Sequence, residues 1–265
     1  MALNNNRDRQ RTRVVFVPVG GGGSNIKTEE LSVSENGTYE AGEDKAYSKV
    51  TVKVTKPLGT VKIAGTGMKL GYSSFSKVPE WVDFEGVTDM NKMFYVCGNL
   101  STIPEIDSSK VTDMTSMFDF CKSLTTIPLI DTSSVTNMYY MFDSCYSLTT
   151  IPQLDTSSVT DMGSMFGYCY SLTTIPQLDT SSVTDINYML YRCSKLTDLG
   201  GFVGLKCNLD LSDSSLITHD SLMNVINKAA DVTASPKTLT LGSTNLAKLS
   251  DEEKAIATNK GWTLA

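Results

Sequence analysis

The sequence predicts an α/β solenoid of the leucine-rich-repeat type, built of 24-residue repeats with capped ends and preceded by an extended arm and a small β unit. Three observations lead there. Cys97, Cys121, Cys145, Cys169 and Cys193 recur at one constant spacing. Around each of them the phrase V-T-[DN]-[MI]-x-x-M-[FL]-x-x-C-x-x-L-[ST]-x-[IL]-[PG] returns, without insertion or deletion, from Val87 to Gly200. Self-similarity at a period of about 20–29 residues marks leucine-rich-type repeats. A unit that short cannot enclose its own apolar side, so copies must stack and share one core.

Residues 1–25 read as an arm with a glycine linker. Arg7, Arg9, Arg11 and Arg13 alternate, so an extended strand places all four on one face. Val14, Val15, Phe16 and Val17 follow, then Gly20 to Gly23 as a joint. The composition suits a disordered tail. It suits equally an anchoring peptide that orders on an acidic or grooved partner, its valines adding a strand there. Residues 26–57 read as a small β unit: Leu31-Ser32-Val33 and Tyr47 to Val54 alternate apolar with polar. Glu35-Asn36-Gly37-Thr38 and Gly42-Glu43-Asp44 are expected as its turns. So short a unit needs a partner, copies of itself, or the repeats to pack on.

Residues 58–86 are expected to cap the N-terminal end of the stack. Phe75, Val78 and Pro79 imitate the later L-x-x-I-P with a one-residue slip, and Trp81 and Phe84 are large enough to cover an open core. Residues 87–205 are the regular copies. Thr112, Thr136 and Thr160 are placed as N-caps of a short helical segment. The pairs Met90/Met93, Met114/Met117, Met138/Met141 and Met162/Met165 fall on one face of it, widened by Phe94, Phe118, Phe142 and Phe166. This spacing makes the methionines core rather than a soft-metal stripe. Leu100 and its equivalents open a strand that Ile103, Ile127, Ile151 and Ile175 continue, and the prolines that follow end its pairing. Asp107, Asp131, Asp155 and Asp179 form polar turns into the next copy. Residues 206–265 add strands at Leu209-Asp210-Leu211 and Leu239-Thr240-Leu241, a helix over residues 218–230, and a last helix begun by the capping box at Ser250. Gly261-Trp262-Thr263-Leu264 closes the end.

Composition narrows the functional classes. A net charge of −6 argues against a general nucleic-acid binder. No apolar run reaches the ~18 residues of a membrane span, so no membrane insertion is expected. The Val14–Val19 stretch is too short for a signal peptide's apolar segment, contains Pro18, and leads into glycines rather than a cleavage site. In-register cysteines form a column about 5 Å apart with every Cβ pointing the same way, so buried free thiols are expected. No C-x-x-C pair occurs and His219 is the one histidine, so neither a zinc site nor any other cofactor is expected. Phosphate loops, zincin helices and nucleophile elbows are absent, and the aspartates lack a calcium-loop spacing. The chain reads as a non-enzyme.

The candidate binding face lies in the variable columns beside the cysteine and between the methionines. These hold Tyr95, Phe120, Tyr139, Tyr140, Tyr146, Tyr168, Tyr170, Tyr188 and Tyr191. Rings give contact area at small entropic cost and are enriched at interfaces, although packing beneath the next copy is the alternative.

The phrase V-T-D-M-x-x-M-F-x-x-C-x-S-L-T-T-I-P, over about residues 75–205, resembles the BspA-like leucine-rich repeats of bacterial surface and lipoprotein families. That resemblance implies an adhesin or surface-exposed binding protein, although no evident signal peptide, lipobox or wall anchor accompanies it. Ser34-Glu35-Asn36-Gly37-Thr38-Tyr39 with Tyr47 to Val54 is similar to a short module of phage tail and virion proteins. Together these imply a head fibre or tail-associated fibre. Arg7, Arg9, Arg11, Arg13, Val14, Val15, Phe16 and Val17 would anchor it to other virion proteins of the capsid or tail. A homo-oligomer, with a trimer favoured by the resemblance alone, would present the repeats to a host-surface glycan or protein. A bacterial cell-surface adhesin is the alternative.

Overall fold

The computed structural model describes residues 70–71, 76–78, 84 and 87–265 with their side chains, and the backbone of residues 30–33, 37–40, 51–54 and 61–64. Strands β1 (Glu30–Val33) and β3 (Thr51–Val54) pair in parallel, as do β2 (Gly37–Glu40) and β4 (Val61–Ala64). Glu30 stands opposite Thr51 and Gly37 opposite Val61, offsets at or near the period of the later repeats. The interleaved order is what two stacked strand–turn–strand copies produce. Gly37 and Thr38, expected in a turn, instead open β2. Their partners Val61 and Lys62 lie a whole copy downstream, beyond what a local turn pattern can register. Trp81, Phe75 and the arm lie outside the described residues. Phe84 is buried, its ring 6.2 Å from that of Phe94. Lys77 bridges Thr102, and the Ser101 N–H donates to the Ser76 carbonyl. Both pairings are one residue longer than the regular period, which is the expected slip.

From Val87 onward each copy lies beside the next. Parallel bridges join Asp113 to Asn137, Asn137 to Asp161, and Asp161 to Asp185. The methionine segment is not the expected helix. It is a run of turns in which alternate amides go separate ways. Met114, Ser116, Phe118 and Phe120 donate to the next copy at Asn137, Tyr139, Met141 and Asp143, while Met117, Asp119 and Cys121 donate three residues back. Residues with φ of 53° at Ser116 and 60° at Phe120 break the helical path, and the pattern recurs in every copy. The threonines are consequently not N-caps. Thr136 and Thr160 direct Oγ1 to the carbonyls of Thr112 and Thr136 in the preceding copy. The neighbouring Asp113, Asn137 and Asp161 accept the amides two residues on and start the turns.

Past the cysteine, one amide per copy makes the ladder: Thr125 donates to Ser101, Thr149 to Thr125, Thr173 to Thr149 and Thr197 to Thr173. Regular strands form here in the last copies alone, where β5 (Thr174–Ile175) pairs with β7 (Asp198–Leu199) and β6 (Leu178–Asp179) with β8 (Phe202–Val203). Pro176 separates β5 from β6 because it has no amide to donate. Ser109, Ser133, Ser157 and Ser181 donate backbone and hydroxyl hydrogens to Asp107, Asp131, Asp155 and Asp179, completing the expected polar turns.

The shared core explains the phrase. Both methionines of each pair are buried. The rings of Phe94, Phe118, Phe142 and Phe166 stack at 5.4, 5.4 and 5.6 Å with interplanar angles of 5°, 7° and 1°. All five in-register cysteines are free and buried. Each thiol reaches back into the preceding copies: Cys121 donates to the Phe94 carbonyl, Cys145 to Phe118, Cys169 to Phe142 and Cys193 to Phe166, all at 3.1 Å. Burial pushes the thiols of Cys121, Cys145 and Cys169 well above their ordinary pKa and that of Cys193 up to about 12. The described core is one cluster from Leu70 to Trp262.

At the C-terminal end, strands β9 (Leu209–Asp210), β10 (Lys237–Thr240) and β11 (Trp262–Leu264) form a parallel sheet in the order β11-β10-β9. Helix α1 (His219–Lys228), capped by Thr218, buries Leu222, Val225 and Ile226. Helix α2 (Gly242–Leu246) is an addition to the expected elements, short and without a side-chain cap to announce it. Helix α3 (Asp251–Asn259) begins at the Ser250–Glu253 capping box. Trp262 belongs to β11, buried, with its indole N–H on the Ala230 carbonyl at 2.9 Å.

Candidate ligand-binding face

Each turn segment contains two left-handed positions, and these create the face. One column holds Lys92, Ser116, Tyr140, Ser164 and Tyr188; the other holds Val96, Phe120, Ser144, Tyr168 and Arg192, all with φ between 52° and 60°. Left-handed backbone suits glycine and disfavours side chains, by about 1–2 kcal/mol for a residue in that conformation. The chain nevertheless puts rings and long cations there. Tyr146 and Tyr170 occupy the position after the cysteine, and Tyr95 and Tyr191 the one two before it.

All nine candidate rings are exposed or half-buried; Tyr188 is the most open at 70%. Seven of them make a strip. Tyr95 meets Phe120 edge-on at 6.5 Å. Lys122 lies 5.8 Å from the Phe120 ring and 5.4 Å from that of Tyr146. Tyr146 meets Tyr170 at 5.3 Å, Tyr170 meets Tyr168 at 6.2 Å, Tyr168 meets Tyr191 at 5.2 Å and Tyr191 meets Tyr188 at 5.9 Å. Lys92 stands over Tyr95, and Arg192 over both Tyr168 and Tyr191. Side-chain hydrogen bonds with Tyr191 and then Tyr170 raise the pKa of Arg192. Tyr139 and Tyr140 form a separate pair at 4.1 Å. Their side-chain hydrogen bond, with burial, pushes Tyr139 up to about 12. Gly163 makes room for this pair, since a Cβ there would come within 3.0 Å of the Tyr139 ring.

In the same turn segments lie two buried carboxylates, Asp119 and Asp143, in neighbouring copies. Asp143 Oδ2 accepts from Ser144 Oγ at 2.8 Å, and its Oδ1 fills the space over Gly167, where a Cβ would approach to 2.3 Å. Asp119 Oδ1 is buried without a hydrogen-bond partner. Burial first, and then the charge of Asp143, push Asp119 up to about 7; burial pushes Asp143 up to about 6. Sequence reasoning misses both aspartates, and with them Lys92, Lys122 and Arg192. All five occupy the same variable columns as the rings, and charge in those columns is the signal that points to them.

The arm residues Arg7, Arg9, Arg11, Arg13, Val14, Val15, Phe16 and Val17 lie outside the described residues. Among the described residues no group of three or more His, Cys, Asp or Glu side chains could hold a metal, and no helix is long and apolar enough to cross a membrane. His219 spends its ring nitrogens on Glu253 at 2.8 Å and Asp220 at 3.2 Å, tying α1 to α3.

A family model described as a Mycoplasma protein of unknown function, DUF285, matches residues 67–150 and again residues 122–204. The two matches together take in residues 67–204, more than half of the 265-residue chain. No curated protein and no solved structure matches.

Proposed function

Because the chain belongs to the DUF285 family, known as part of BspA-like repeat proteins, we propose that it is a non-enzymatic recognition protein whose repeats form a solenoid of the leucine-rich-repeat type. Its exterior presents the aromatic strip to a host-surface macromolecule. The solenoid reading is supported by parallel bridges and amide ladders that keep one constant offset through successive copies. The recognition reading is carried by one observation: Tyr95 and Phe120, joined through Lys122 to the unbroken run Tyr146–Tyr170–Tyr168–Tyr191–Tyr188, stay at the surface, several on backbone that disfavours them, with three cations among them. Rings and arginines of this kind dominate binding energies at interfaces.

Family membership favours display on a bacterial surface. The likeness of residues 34–39 and 47–54 to virion modules favours display on a phage particle, with residues 1–25 as the anchor and an oligomer, a trimer by that likeness, as the displayed form. Mass spectrometry of purified particles and of envelope fractions separates the two. If the virion reading holds, deleting residues 1–24 leaves circular dichroism unchanged and removes the protein from particles. Co-purification of the truncated chain would move the anchor into the β unit. For recognition itself, labelled protein should adhere to host cells, and Tyr168→Ala with Tyr170→Ala should abolish adherence without unfolding. Undiminished adherence of a folded double variant would end the assignment of this face.

A further inference from the structure

We propose that the strip from Tyr95 to Tyr188 recognises an acidic glycan, an extended chain of sugar rings some of which carry carboxylates. This rests on the recognition reading above and names its ligand. Three features of the strip converge on that chemistry.

The first is the state of its backbone. Eight amides along the strip are already spent. Lys92, Val96, Phe120, Ser144 and Tyr168 donate to Thr115, Asp119, Asp143, Gly167 and Tyr191 in the following copy, and Lys122, Tyr146 and Tyr170 donate two residues back. A peptide bound as an added strand needs free main-chain groups, and this face offers none of these amides. Recognition must run through side chains. Flat rings take the C–H faces of sugars. Tyr146 and Tyr170 repeat at 5.3 Å, close to the length of one unit in an extended polysaccharide.

The second is charge. Lys92, Lys122 and Arg192 are exposed, and none is within salt-bridge distance of a carboxylate among the described residues. Elsewhere Lys206, Lys228, Lys248 and Lys260 bind backbone carbonyls, and Lys254 pairs with Asp251. Arg192 is exposed and lies over the rings of Tyr168 and Tyr191 at 5.6 and 5.4 Å, and its planar fork can take a carboxylate on two prongs. Three cations spread over five copies are too sparse for a polymer with a phosphate on every unit, in a chain of net charge −6. They match a polymer with an acid on only some units.

The third is backbone conformation. Lys92, Phe120, Tyr168, Tyr188 and Arg192 all stand at left-handed positions, where glycine or asparagine would sit more comfortably. The strip keeps its rings and cations against that preference, as strained residues at ligand clamps do.

The test uses the full chain and oligosaccharides of hyaluronan, unsulfated chondroitin and heparosan, which carry a carboxylate on alternate units, each beside its carboxyl-reduced counterpart, by isothermal titration. At least one acidic member should bind, its reduced form should bind at least tenfold more weakly, and affinity should fall with added salt. Arg192→Gln and Tyr170→Ala should each weaken binding by about tenfold or more. Tyr170→Phe should restore it, and all three variants should keep the wild-type melting curve. Equal binding of reduced and acidic forms overturns the charge assignment. Binding of a single-stranded oligonucleotide in preference to every glycan overturns the ligand class. Failure of all three glycans while Tyr168→Ala with Tyr170→Ala still abolishes adherence overturns the glycan and leaves the recognition reading standing. Failure of the glycans with adherence unaffected by those variants overturns both.

Discussion

A single side chain in this protein works as a rung. Phe142 lies between Phe118 and Phe166 at 5.4 and 5.6 Å with no exposure, so removing its ring opens a gap in a stack that cannot close without shifting whole copies. Phe142→Ala should cost about 3–5 kcal/mol, read from urea denaturation. A wild-type midpoint would mean that the stack tolerates a vacancy. The thiols make the second test. Cys97, Cys121, Cys145, Cys169 and Cys193 are buried and hydrogen-bonded to carbonyls, whereas Cys207 is half-buried and 3.4 Å from the Val183 carbonyl. Iodoacetamide at pH 8 should modify Cys207 first and leave the other five untouched until denaturant is added, as intact mass will show. The buried columns are legible in the sequence because burial imposes one residue type on a column, and copies of a column repeat it. The left-handed positions are not. Their occupants are Lys, Ser, Tyr, Val, Phe and Arg, so the glycine or asparagine that announces positive φ is missing.

At the scale of the element, the expected helix gives way to turns for a related reason. Spacing Met114 and Met117 three apart suits a helix face, and it suits equally a turn whose alternate amides reach the next copy. Local periodicity cannot tell them apart, because the deciding hydrogen bonds run from one copy to another, as from Phe118 to Met141. The end helices α1 and α3 are legible, since Thr218 and the Ser250–Glu253 box announce themselves locally. The same turn segments hold Asp119 and Asp143, whose folded pKa values of about 7 and about 6 lie above the ordinary 3.8. The folded state therefore holds protons that the unfolded chain has released. Its stability from this pair is complete below about pH 4 and declines as pH rises toward 7. The groups facing the pair are Lys92, which opposes the rise, and the hydroxyls of Ser116 and Ser144. The exposed turn aspartates have the opposite sign. Hydrogen bonds from Ser109, Ser133 and Ser157 lower Asp107, Asp131 and Asp155, so their contribution is present at neutral pH and lost as pH falls below the ordinary carboxylate range. Thermal melts should peak in mildly acidic buffer. Asp119→Asn should flatten the neutral-side decline and gain about 1–2 kcal/mol at pH 8, because a neutral amide lacks the charge that burial and Asp143 disfavour there, less the cost of its own buried N–H groups. A wild-type Tm that climbs from pH 5 to pH 8 would contradict the burial of this pair.

For the whole molecule, each copy contacts its neighbours through the same bonds, so stability should accumulate copy by copy with nearest-neighbour coupling. Excising residues 135–158 removes one period and brings Phe118 against Phe166 and the Cys169 thiol within reach of the Phe118 carbonyl. The shortened chain should fold, with a smaller urea m-value and a lower midpoint. Excising residues 135–146 instead leaves the columns out of phase and should give no cooperative transition. A folded half-period deletion would show that register is not what holds the copies together. The interchangeable joint also bears on heredity. Cys145 to Asp161 and Cys169 to Asp185 are identical in sequence, and wherever their codons match as well, replication or recombination can misalign the two stretches. A slip by one full unit leaves every new joint chemically the same as an old one, and the product folds. The length of the aromatic strip can then change between generations by whole repeats, without a single point mutation.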